Sequence, residues 1–368
     1  MKNIIIYLPV IVFLTTLFSC NQVEEEQAQN FDWITERPFF EARGEGSFDN
    51  EAVKDPSIVE ADGKYHLFYT AKASKVVDGK KKFSIATAYA GAETLEGLNT
   101  SERVIIDSIV GGNVVAPQVF YFKPQEQWYL VAHTWVEGSH SNLEPIYMTN
   151  SNINDVNAWS EIKFIEHNKD KSEFWIDFWM ISQGDDMFMF YSNQQGSIKY
   201  LKTSIAEFPK GFEDSEEYTA LTQTGNRDSI KWKMFEAAHI YHAKKEDKYI
   251  AILEGAWPHP KNDWEVDART RFIFAMTADS LSGKWQRLEK DESKFLAEAK
   301  NIYYKDGNKT EFSLVSHPEL IRAGNNQKLE IESIENIEMV YQSFNKEGIP
   351  NTYNYNELPF KLSLMRRK

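Results

Sequence analysis

The stretch Val53-Lys54-Asp55-Pro56-Ser57-Ile58-Val59 is a short apolar run that opens on a Lys-Asp pair. A turn at residues 61–64, Ala-Asp-Gly-Lys, separates it from a second apolar run at residues 65–69, Tyr-His-Leu-Phe-Tyr. Two such runs joined by a short turn that contains glycine are typical of a β-hairpin. The stretch therefore predicts the first two strands of a β-sheet.

The same pattern of run, turn and run returns four more times along the chain. The residues that open the five copies are Asp55, Ala116, Asp177, Glu236 and His317. Successive openings are separated by 61, 61, 59 and 81 residues. A near-constant period with only strands inside each unit favours a β-propeller, in which four-stranded blades surround a central channel. Five units predict an all-β protein with five blades.

The opening residues occupy the same place in each predicted blade, so they should form a ring around the channel. That ring would hold two aspartates, one glutamate and one histidine, each beside apolar residues. Any one of these acids is more often a turn cap or a solvated charge than a catalytic group. Burying three of them around one axis, however, costs free energy unless chemistry or a cation compensates. Glycoside hydrolysis supplies such chemistry, because one carboxylic acid protonates the leaving oxygen, a second carboxylate activates water, and a third can tune the acid.

The N-terminus predicts export and a lipid anchor. Residues 4–18 form an apolar core that is short for a membrane span and typical of a signal peptide, assigned here to residues 1–19. The following Leu17-Phe18-Ser19-Cys20 resembles a bacterial lipobox, in which the cysteine receives lipid. Cys20 is the only cysteine in the chain, so it cannot form an intramolecular disulfide. The alternative is an ordinary secretory signal beside an incidental cysteine.

Residues 20–30 follow as a polar segment without periodicity, which predicts a flexible tether. Three consecutive glutamates at 24–26 resemble the surface-export tag of lipoproteins in some Gram-negative bacteria, although such runs are also common in solvated linkers. We therefore expect a cell-envelope lipoprotein of the outer membrane, either periplasmic or surface-exposed. Its propeller would span residues 31–368 and would reach the membrane only through the lipid.

Composition limits the partners of that propeller. The formal net charge is −14, and no basic aromatic patch is evident, so binding to nucleic acid or to anionic lipid surfaces is disfavoured. A neutral ligand is easier to accommodate, and we expect a monomer. Helical patterns are scarce; the best, at residues 293–300, is short enough to be a loop helix.

Some aromatic residues lie where a sugar could stack. Trp128 and Trp285 are expected in the core, whereas Trp135 and Trp257 follow predicted strands and lie beside loops. Trp257 falls in a segment at residues 255–267 that looks like an insertion, and loops of that length often lie at a rim and contribute to binding. Third strands, farther from the axis, should not contact a ligand. A strand within residues 31–37 should close the ring by pairing with the last blade.

Six motifs occur in a collinear order from about residue 51 to the C-terminus. They are Lys54-Asp55-Pro56-Ser57-Ile58-Val59, Val115-Ala116-Pro117, Ile176-Asp177, Phe235-Glu236-Ala237, Leu281-Ser282-Gly283-Lys284-Trp285 and Ser316-His317-Pro318-Glu319-Leu320-Ile321-Arg322. Together they resemble glycoside hydrolase family 62, whose members are five-bladed α-L-arabinofuranosidases that remove arabinose side chains from arabinoxylan.

The resemblance implies a role for each matching residue. Asp55 would be the general base, Glu236 the general acid and Asp177 the residue that tunes the acid. Lys54 and Tyr355 would contact the arabinose. The resemblance also places His317 near a structural calcium ion on the propeller axis, although no second histidine lies at metal-ligand spacing from it. It implies no cofactor that the reaction requires.

The sequence departs from the family at three places: Pro56 replaces a usual aromatic, Pro318 replaces a usual glycine, and residues 255–267 are unfamiliar. The resemblance therefore supports the assignment of the catalytic residues better than it supports the identity of the sugar or of the polymer backbone. We expect an inverting hydrolase that releases L-arabinofuranose from arabinoxylan-type polysaccharide. The alternatives are another propeller glycosidase, of the β-xylosidase or arabinanase type, and a carbohydrate-binding propeller without catalysis. A lectin gains nothing from a buried acid triad, so the ring favours the enzyme.

Overall fold

The computed structural model describes residues 31–106, 114–136, 143–169, 173–223, 232–259, 262–291 and 293–368. The predicted signal peptide, Cys20 and the tether lie outside these residues. The described residues form five sheets, and the predicted five-bladed, all-β propeller is confirmed. In the part of the chain that the structure describes, no helix is both long enough and apolar enough to cross a membrane.

The strands follow one another along the chain with few crossovers. In chain order they are β1 (Trp33–Thr35), β2 (Ala52–Ala61), β3 (Lys64–Val77), β4 (Lys80–Ala92), β5 (Arg103–Ile105), β6 (Val114–Phe122), β7 (Gln127–Trp135), β8 (Leu143–Asn150), β9 (Lys163–Phe164), β10 (Ile176–Gln183), β11 (Asp186–Ser192), β12 (Ser197–Ser204), β13 (Tyr218–Thr222), β14 (Lys233–Ala243), β15 (Lys248–His259), β16 (Asn262–Ala278), β17 (Gln286–Arg287), β18 (Ile302–Tyr304), β19 (Ser316–Leu320), β20 (Glu330–Ile331), β21 (Glu338–Ser343) and β22 (Lys361–Arg367).

Blades 1 to 3 are simple meanders of four consecutive strands, β2 to β5, β6 to β9 and β10 to β13. Blade 4 has the order β17-β16-β15-β14-β20, and blade 5 has the order β18-β1-β22-β21-β19. The N-terminal strand β1 pairs antiparallel with the C-terminal strand β22, with Ile34 opposite Arg366. The predicted closure of the ring by an N-terminal strand is therefore confirmed.

A β-bulge interrupts each innermost strand at the place where the five sequence motifs open. One residue of each bulge has a left-handed backbone: Asp55 (φ 48°), Ala116 (φ 52°), Asp177 (φ 58°), Ala237 (φ 57°) and His317 (φ 41°). Residues other than glycine rarely adopt this conformation, so its recurrence marks a constrained end of the channel. In blade 4 the bulged residue is Ala237. The predicted ring member Glu236 lies one residue earlier, in the position that Lys54 occupies in blade 1.

Side chains of the preceding blade accept hydrogen bonds from the backbone N–H groups of four of these five bulged residues, which cannot join their own ladder. Ala116 donates to Thr70 Oγ1 at 2.9 Å, Ala237 to Asp177 Oδ2 at 3.1 Å, His317 to Glu254 Oε2 at 2.8 Å and Asp55 to Gln342 Oε1 at 2.8 Å. These four bulges are therefore held by side chains of the preceding blade.

A second ring lies two residues farther along each inner strand, and its side chains join the blades in a circle. It consists of Ser57, Gln118, Trp179, His239 and Glu319, all buried. Each residue hydrogen-bonds to the backbone of the next blade, and the partners in order are Val119 (3.0 Å), Met180 (2.7 and 2.8 Å), Ile240 (2.9 Å), Pro318 (2.5 Å) and Ile58. Because every junction carries such a bond, the inner strands are held in register around the axis.

A strap at residues 323–329 crosses the far end of the propeller. Its carbonyl groups accept hydrogen bonds from the backbones of blades 2, 3 and 4: Tyr121 to Asn325 (2.7 Å), Ser182 to Gln327 (2.9 Å) and His242 to Leu329 (3.2 Å). The strap covers inner strands at the end opposite the bulges. The bulged residues are therefore accessible from their own end of the channel, which the strap does not cover. We call this end the active face.

Two local expectations need correction. The insertion at residues 255–267 is part of a long β-hairpin rather than an irregular loop, since β15 and β16 remain paired as far as His259 opposite Asn262. The expected loop helix at residues 293–300 is limited to a short 3₁₀ turn, Ala299–Asn301. In both cases backbone pairing with neighbouring segments decides the conformation, for example between Ile273 and Ala297.

Candidate active site

The structure brings the three predicted carboxyl groups together at the active face. Asp55 and Asp177 are 6% and 5% exposed, and the side chain of Glu236 is 12% exposed. Asp177 interacts electrostatically with both of the others and accepts a hydrogen bond from the N–H that follows Glu236. Three acids from blades 1, 3 and 4 thus share one largely buried site.

Asp55 lies among positive and polar groups. Lys54 Nζ and His317 Nδ1 each lie 3.6 Å from Asp55 Oδ1. Burial by itself would raise the pKa of Asp55, but Lys54, His317 and a hydrogen bond from Thr70 lower that pKa to about 2. Asp55 is therefore a carboxylate across the whole neutral and mildly acidic range, which is the state that a general base requires.

Glu236 is held in the opposite protonation state. Gln194 donates a short hydrogen bond to Oε1, and Arg271 Nη1 lies 3.3 Å from Oε2. Burial raises the pKa of Glu236 to about 7; Arg271 opposes the increase and Glu254 supports it. A carboxyl group with this pKa keeps its proton below neutrality and can give it to a leaving group.

Arg271 owes its position to a second, fully buried carboxylate. Its Nη1 lies 2.8 Å from Glu254 Oε1, and Glu254 also accepts hydrogen bonds from Ser316 Oγ (2.7 Å) and His317 N (2.8 Å). Glu254 compensates the charge of the guanidinium group, so that Arg271 lowers the pKa of Glu236 less than an unpaired cation would.

Asp177 is also pushed towards its protonated form. Burial, then the charge of Glu236, then that of Asp55 raise its pKa well above the usual range, against the hydrogen bond from Ala237. Since the pKa values of both Asp177 and Glu236 are raised, these two carboxyls retain protons at pH values where ordinary acids have lost them. The predicted tuning of Glu236 by Asp177 stays a prediction, and their shared burial supports it.

Two histidines that the repeat pattern did not single out, His133 and His239, lie near His317. His239 stacks on Trp179 with ring centroids 4.1 Å apart and meets His317 at 4.8 Å. Burial lowers the pKa of all three, that of His133 to about 3. These rings are therefore neutral at physiological pH. His239 could have been found from its position two residues after a bulge.

The predicted calcium ion is not tested by these side chains. Among the described residues, no group of three or more His, Cys, Asp or Glu side chains is arranged to hold a metal. A calcium ion beside His317 would need six to eight oxygen ligands, so water and carbonyl groups would have to supply most of them. The calcium site stays a prediction.

The predicted sugar contacts fall into two groups. Lys54 and Tyr355 come together beside Asp55, with Lys54 Nζ 5.1 Å from the centre of the Tyr355 ring, which is 37% exposed. Trp135 is 45% exposed and lies edge-on to His133, a buried histidine that is within electrostatic range of Asp55. Trp257 is 37% exposed but packs on Phe272 in the long blade 4 hairpin. Lys54, Tyr355 and Trp135 thus lie near the acids, whereas Trp257 packs within the long hairpin of blade 4.

A family model described as glycosyl hydrolase family 62 matches residues 39–366, which is nearly the whole described propeller. The chain belongs to glycosyl hydrolase family 62. The family resemblance drawn from the motifs is confirmed, and the family is one of glycosidases, the class of enzyme that the acid ring predicted.

Known relatives agree with this membership. The chain is 28% identical over 342 residues to an α-L-arabinofuranosidase C of Cellvibrio japonicus; the match covers 91% of this chain but 47% of the relative. The catalytic domain of a family 62 α-L-arabinofuranosidase from Coprinopsis cinerea is 26% identical, with a TM-score of 0.74 over 92% of this chain and 98% of that one. A family 62 hydrolase solved with xylotriose is 23% identical, with a TM-score of 0.73 over 93% and 99% of the two chains.

Proposed function

We propose that this family 62 member releases L-arabinofuranose side chains from arabinoxylan-type polysaccharide by single-displacement, inverting hydrolysis. The observation that carries the proposal is the opposite protonation of two buried carboxyls, Asp55 with a pKa of about 2 and Glu236 with a pKa of about 7. Between these values one group is a base and the other an acid at the same pH, as glycoside hydrolysis requires.

The geometry suggests how the two groups divide the work. Asp55 would take a proton from the attacking water while that water bonds to the anomeric carbon, and Glu236 would give its proton to the departing glycosidic oxygen. Lys54 and Tyr355, which lie beside Asp55, would position the sugar. After the step Asp55 holds a proton and Glu236 is ionised, and exchange with solvent restores both.

Relatives support the choice of sugar and polymer. The curated relative and the Coprinopsis cinerea domain are both named α-L-arabinofuranosidases, and xylotriose, the ligand of a similar structure, is a fragment of a xylan backbone. A panel of arabinoxylan, arabinan and arabinogalactan tests the assignment directly. We expect free arabinose from arabinoxylan first. Release of xylose, or of arabinose from arabinan alone, would assign the enzyme to another glycosidase specificity.

Stereochemistry tests the mechanism. Asp55 and Glu236 lie in blades 1 and 4, with blade 5 between them, and each has its own charged partner, Lys54 and Arg271. This arrangement favours a separation that admits a water molecule, about 6.5–9.5 Å in inverting enzymes against about 5–5.5 Å in retaining ones. Proton NMR in the first minutes of hydrolysis should therefore show β-arabinofuranose from an α-linked substrate. Initial appearance of the α-anomer would reject the single displacement.

The pH dependence should respond to Glu254. Activity requires protonated Glu236, so it should fall as the pH rises through about 7. In Glu254→Gln the charge of Arg271 is uncompensated and favours ionised Glu236, so the alkaline limb should move to lower pH, by roughly one pH unit. The matched control is Glu289→Gln, which removes another buried glutamate of blade 4, paired with Arg287 at 3.2 Å. Equal profiles for the two variants would contradict the role of Glu254.

We also propose that Cys20 anchors the enzyme to the cell envelope through lipid. The lipobox-like sequence, the apolar core before it and the absence of any other cysteine support this. An acyl chain contributes about 0.8 kcal/mol per buried methylene, so the full-length protein should partition into detergent. Cys20→Ala should move it to the soluble fraction, whereas Ser19→Ala should not. Detergent partitioning that is unchanged in Cys20→Ala would indicate simple secretion or another anchor.

A further inference from the structure

The hairpin formed by β3 and β4 rises well above blade 1. The pairing of β2 with β3 extends as far as Ala52 opposite Lys72, but β3 and β4 remain paired to Val77 opposite Lys80. Thr70 faces Lys54 across the first ladder, so the strands leave the blade on the active face. We call residues 72–83 the lysine hairpin.

The lysine hairpin is strongly basic in an acidic protein. It contains Lys72, Lys75, Lys80, Lys81 and Lys82 against a single acid, Asp78, whereas the whole chain carries −14. Lys75 lies directly opposite Lys82 in the ladder, and like charges in that position destabilise a hairpin. Such a cost suggests that the charges have a use outside the hairpin. The negative net charge of the whole chain gives no indication of this positively charged patch.

Three of these cations are available to a partner. Lys75, Lys80 and Lys82 are exposed, and none of them forms an ion pair with any residue that the structure describes. The turn that presents them is well defined, because Asp78 and Gly79 have φ values of 52° and 73°, typical of a two-residue type I′ turn. The strands therefore hold the backbone positions of the three lysines close together on one face of the hairpin.

The hairpin adjoins the catalytic site through the face opposite to these exposed lysines, because the ladder places Lys75, Lys80 and Lys82 on one face and Lys72, Lys81 and Phe83 on the other. Lys72 is buried at its base, 3.4 Å from the carbonyl oxygen of Tyr355 and 5.6 Å from the centre of that ring. Lys54 lies on the same tyrosine and interacts with Lys72 electrostatically. Farther out, Lys81 and Lys72 both lie over Phe83, at 5.2 and 5.4 Å. Lys54 and Lys72 thus connect the site to the base of the hairpin, and the three exposed lysines lie farther out along the same two strands.

We propose that the lysine hairpin binds carboxylate groups on the polysaccharide whose arabinose occupies the site, which makes the preferred substrate a uronic-acid-bearing polymer rather than a neutral one. The inference rests on the proposed function and extends it. Exposed ammonium groups beside the site attract anions, and a chain bound across the active face carries its substituents past blade 1. An anionic membrane surface would also attract lysines, but it would have to approach the face that must admit the polymer.

The test compares one arabinoxylan that carries uronic acids with the same polymer after reduction of its carboxyl groups. The wild-type enzyme should have a higher kcat/KM on the acidic polymer, by roughly fivefold, and salt should reduce the difference. The triple variant Lys75→Gln, Lys80→Gln, Lys82→Gln should act equally on both polymers and match wild type on the reduced one. The matched control replaces three lysines at turns and the strap of the far end, Lys64, Lys248 and Lys328, and should retain the preference.

Each other outcome overturns a definite statement. Equal kcat/KM of the wild type on the two polymers, or a preference that survives in the triple variant, would overturn the inference. So would loss of binding to vesicles containing anionic lipid with an unchanged polymer preference, because the hairpin would then serve a membrane. If neither polymer yields arabinose the proposed function fails, and titration calorimetry with the acidic polymer then decides the inference by itself, since binding must still weaken in the triple variant.

Discussion

Asp55→Asn is expected to lower kcat by about 10²–10⁴-fold on every arabinofuranoside, whatever its leaving group. The asparagine has nearly the same shape but cannot take a proton from water. The backbone should tolerate the change, because Asp55 has a φ of 48° and asparagine is among the residues that adopt this conformation most readily. Initial rates on a nitrophenyl arabinofuranoside and on arabinoxylan measure the effect.

A matched control exists in the same hairpin. Asp62 also has a positive φ, 51°, but lies exposed in the turn between β2 and β3, at the far end. Asp62→Asn should therefore leave kcat unchanged while making the same chemical substitution in the same backbone conformation. If Asp55→Asn retained activity on a nitrophenyl substrate, attack by water would not depend on this carboxylate, and its assignment as general base would be wrong.

The five blades could be predicted because each one is a local unit. A blade is a meander of consecutive strands, so its apolar runs and turns recur in the sequence at almost the same spacing. The sequence pattern placed Glu236, rather than Ala237, at the bulge of blade 4, because apolar runs and turns locate a strand but not the residue within it that forms the bulge. Phe235, Glu236 and Ala237 all fit an apolar strand with one acid, and only the backbone angle of Ala237 shows which residue occupies the bulge.

The residues around Glu236 could not be predicted in the same way. Gln194, Glu254 and Arg271 come from second and third strands or from turns, where the repeat pattern carries no signal for the site. Third strands were expected to lie away from the ligand, yet β16 places Arg271 against the acid. The reason is the register of the long blade 4 hairpin, which aligns Ala256 with Arg271 and Glu236 with Glu254.

Site residues on the inner strands could be predicted more easily. They recur at the same place in each repeat, and the five repeats bring that place to one end of the central channel. Asp55 and Asp177 were identified from position and Lys54 from the family resemblance, and the structure brings them together. Their protonation states required three dimensions. Lys54 is adjacent to Asp55 in sequence, but His317, which also lowers the pKa of Asp55, arrives from the fifth blade only when the ring closes.

Glu236→Gln should discriminate between substrates, in contrast to Asp55→Asn. The variant cannot protonate a leaving oxygen, so hydrolysis of arabinoxylan, whose leaving group is an alcohol, should fall by about 10²–10⁴-fold. A nitrophenoxide leaves without protonation, so the rate on an aryl arabinofuranoside should fall far less. Because Glu236 is the group whose pKa is about 7, the alkaline limb of the pH profile should disappear as well.

Asp177→Asn provides the comparison that separates the acid from its neighbour. Asp177 is buried and interacts electrostatically with Glu236. It should therefore influence the pKa of Glu236 without transferring a proton itself. We therefore expect Asp177→Asn to move the alkaline limb and to slow both substrates by a similar factor, whereas Glu236→Gln affects the polymer selectively. Equal losses in Glu236→Gln on aryl and polymeric substrates, with an alkaline limb that persists, would show that the proton comes from another group. Asp177, a buried carboxyl whose pKa is also raised, would then be the next candidate donor.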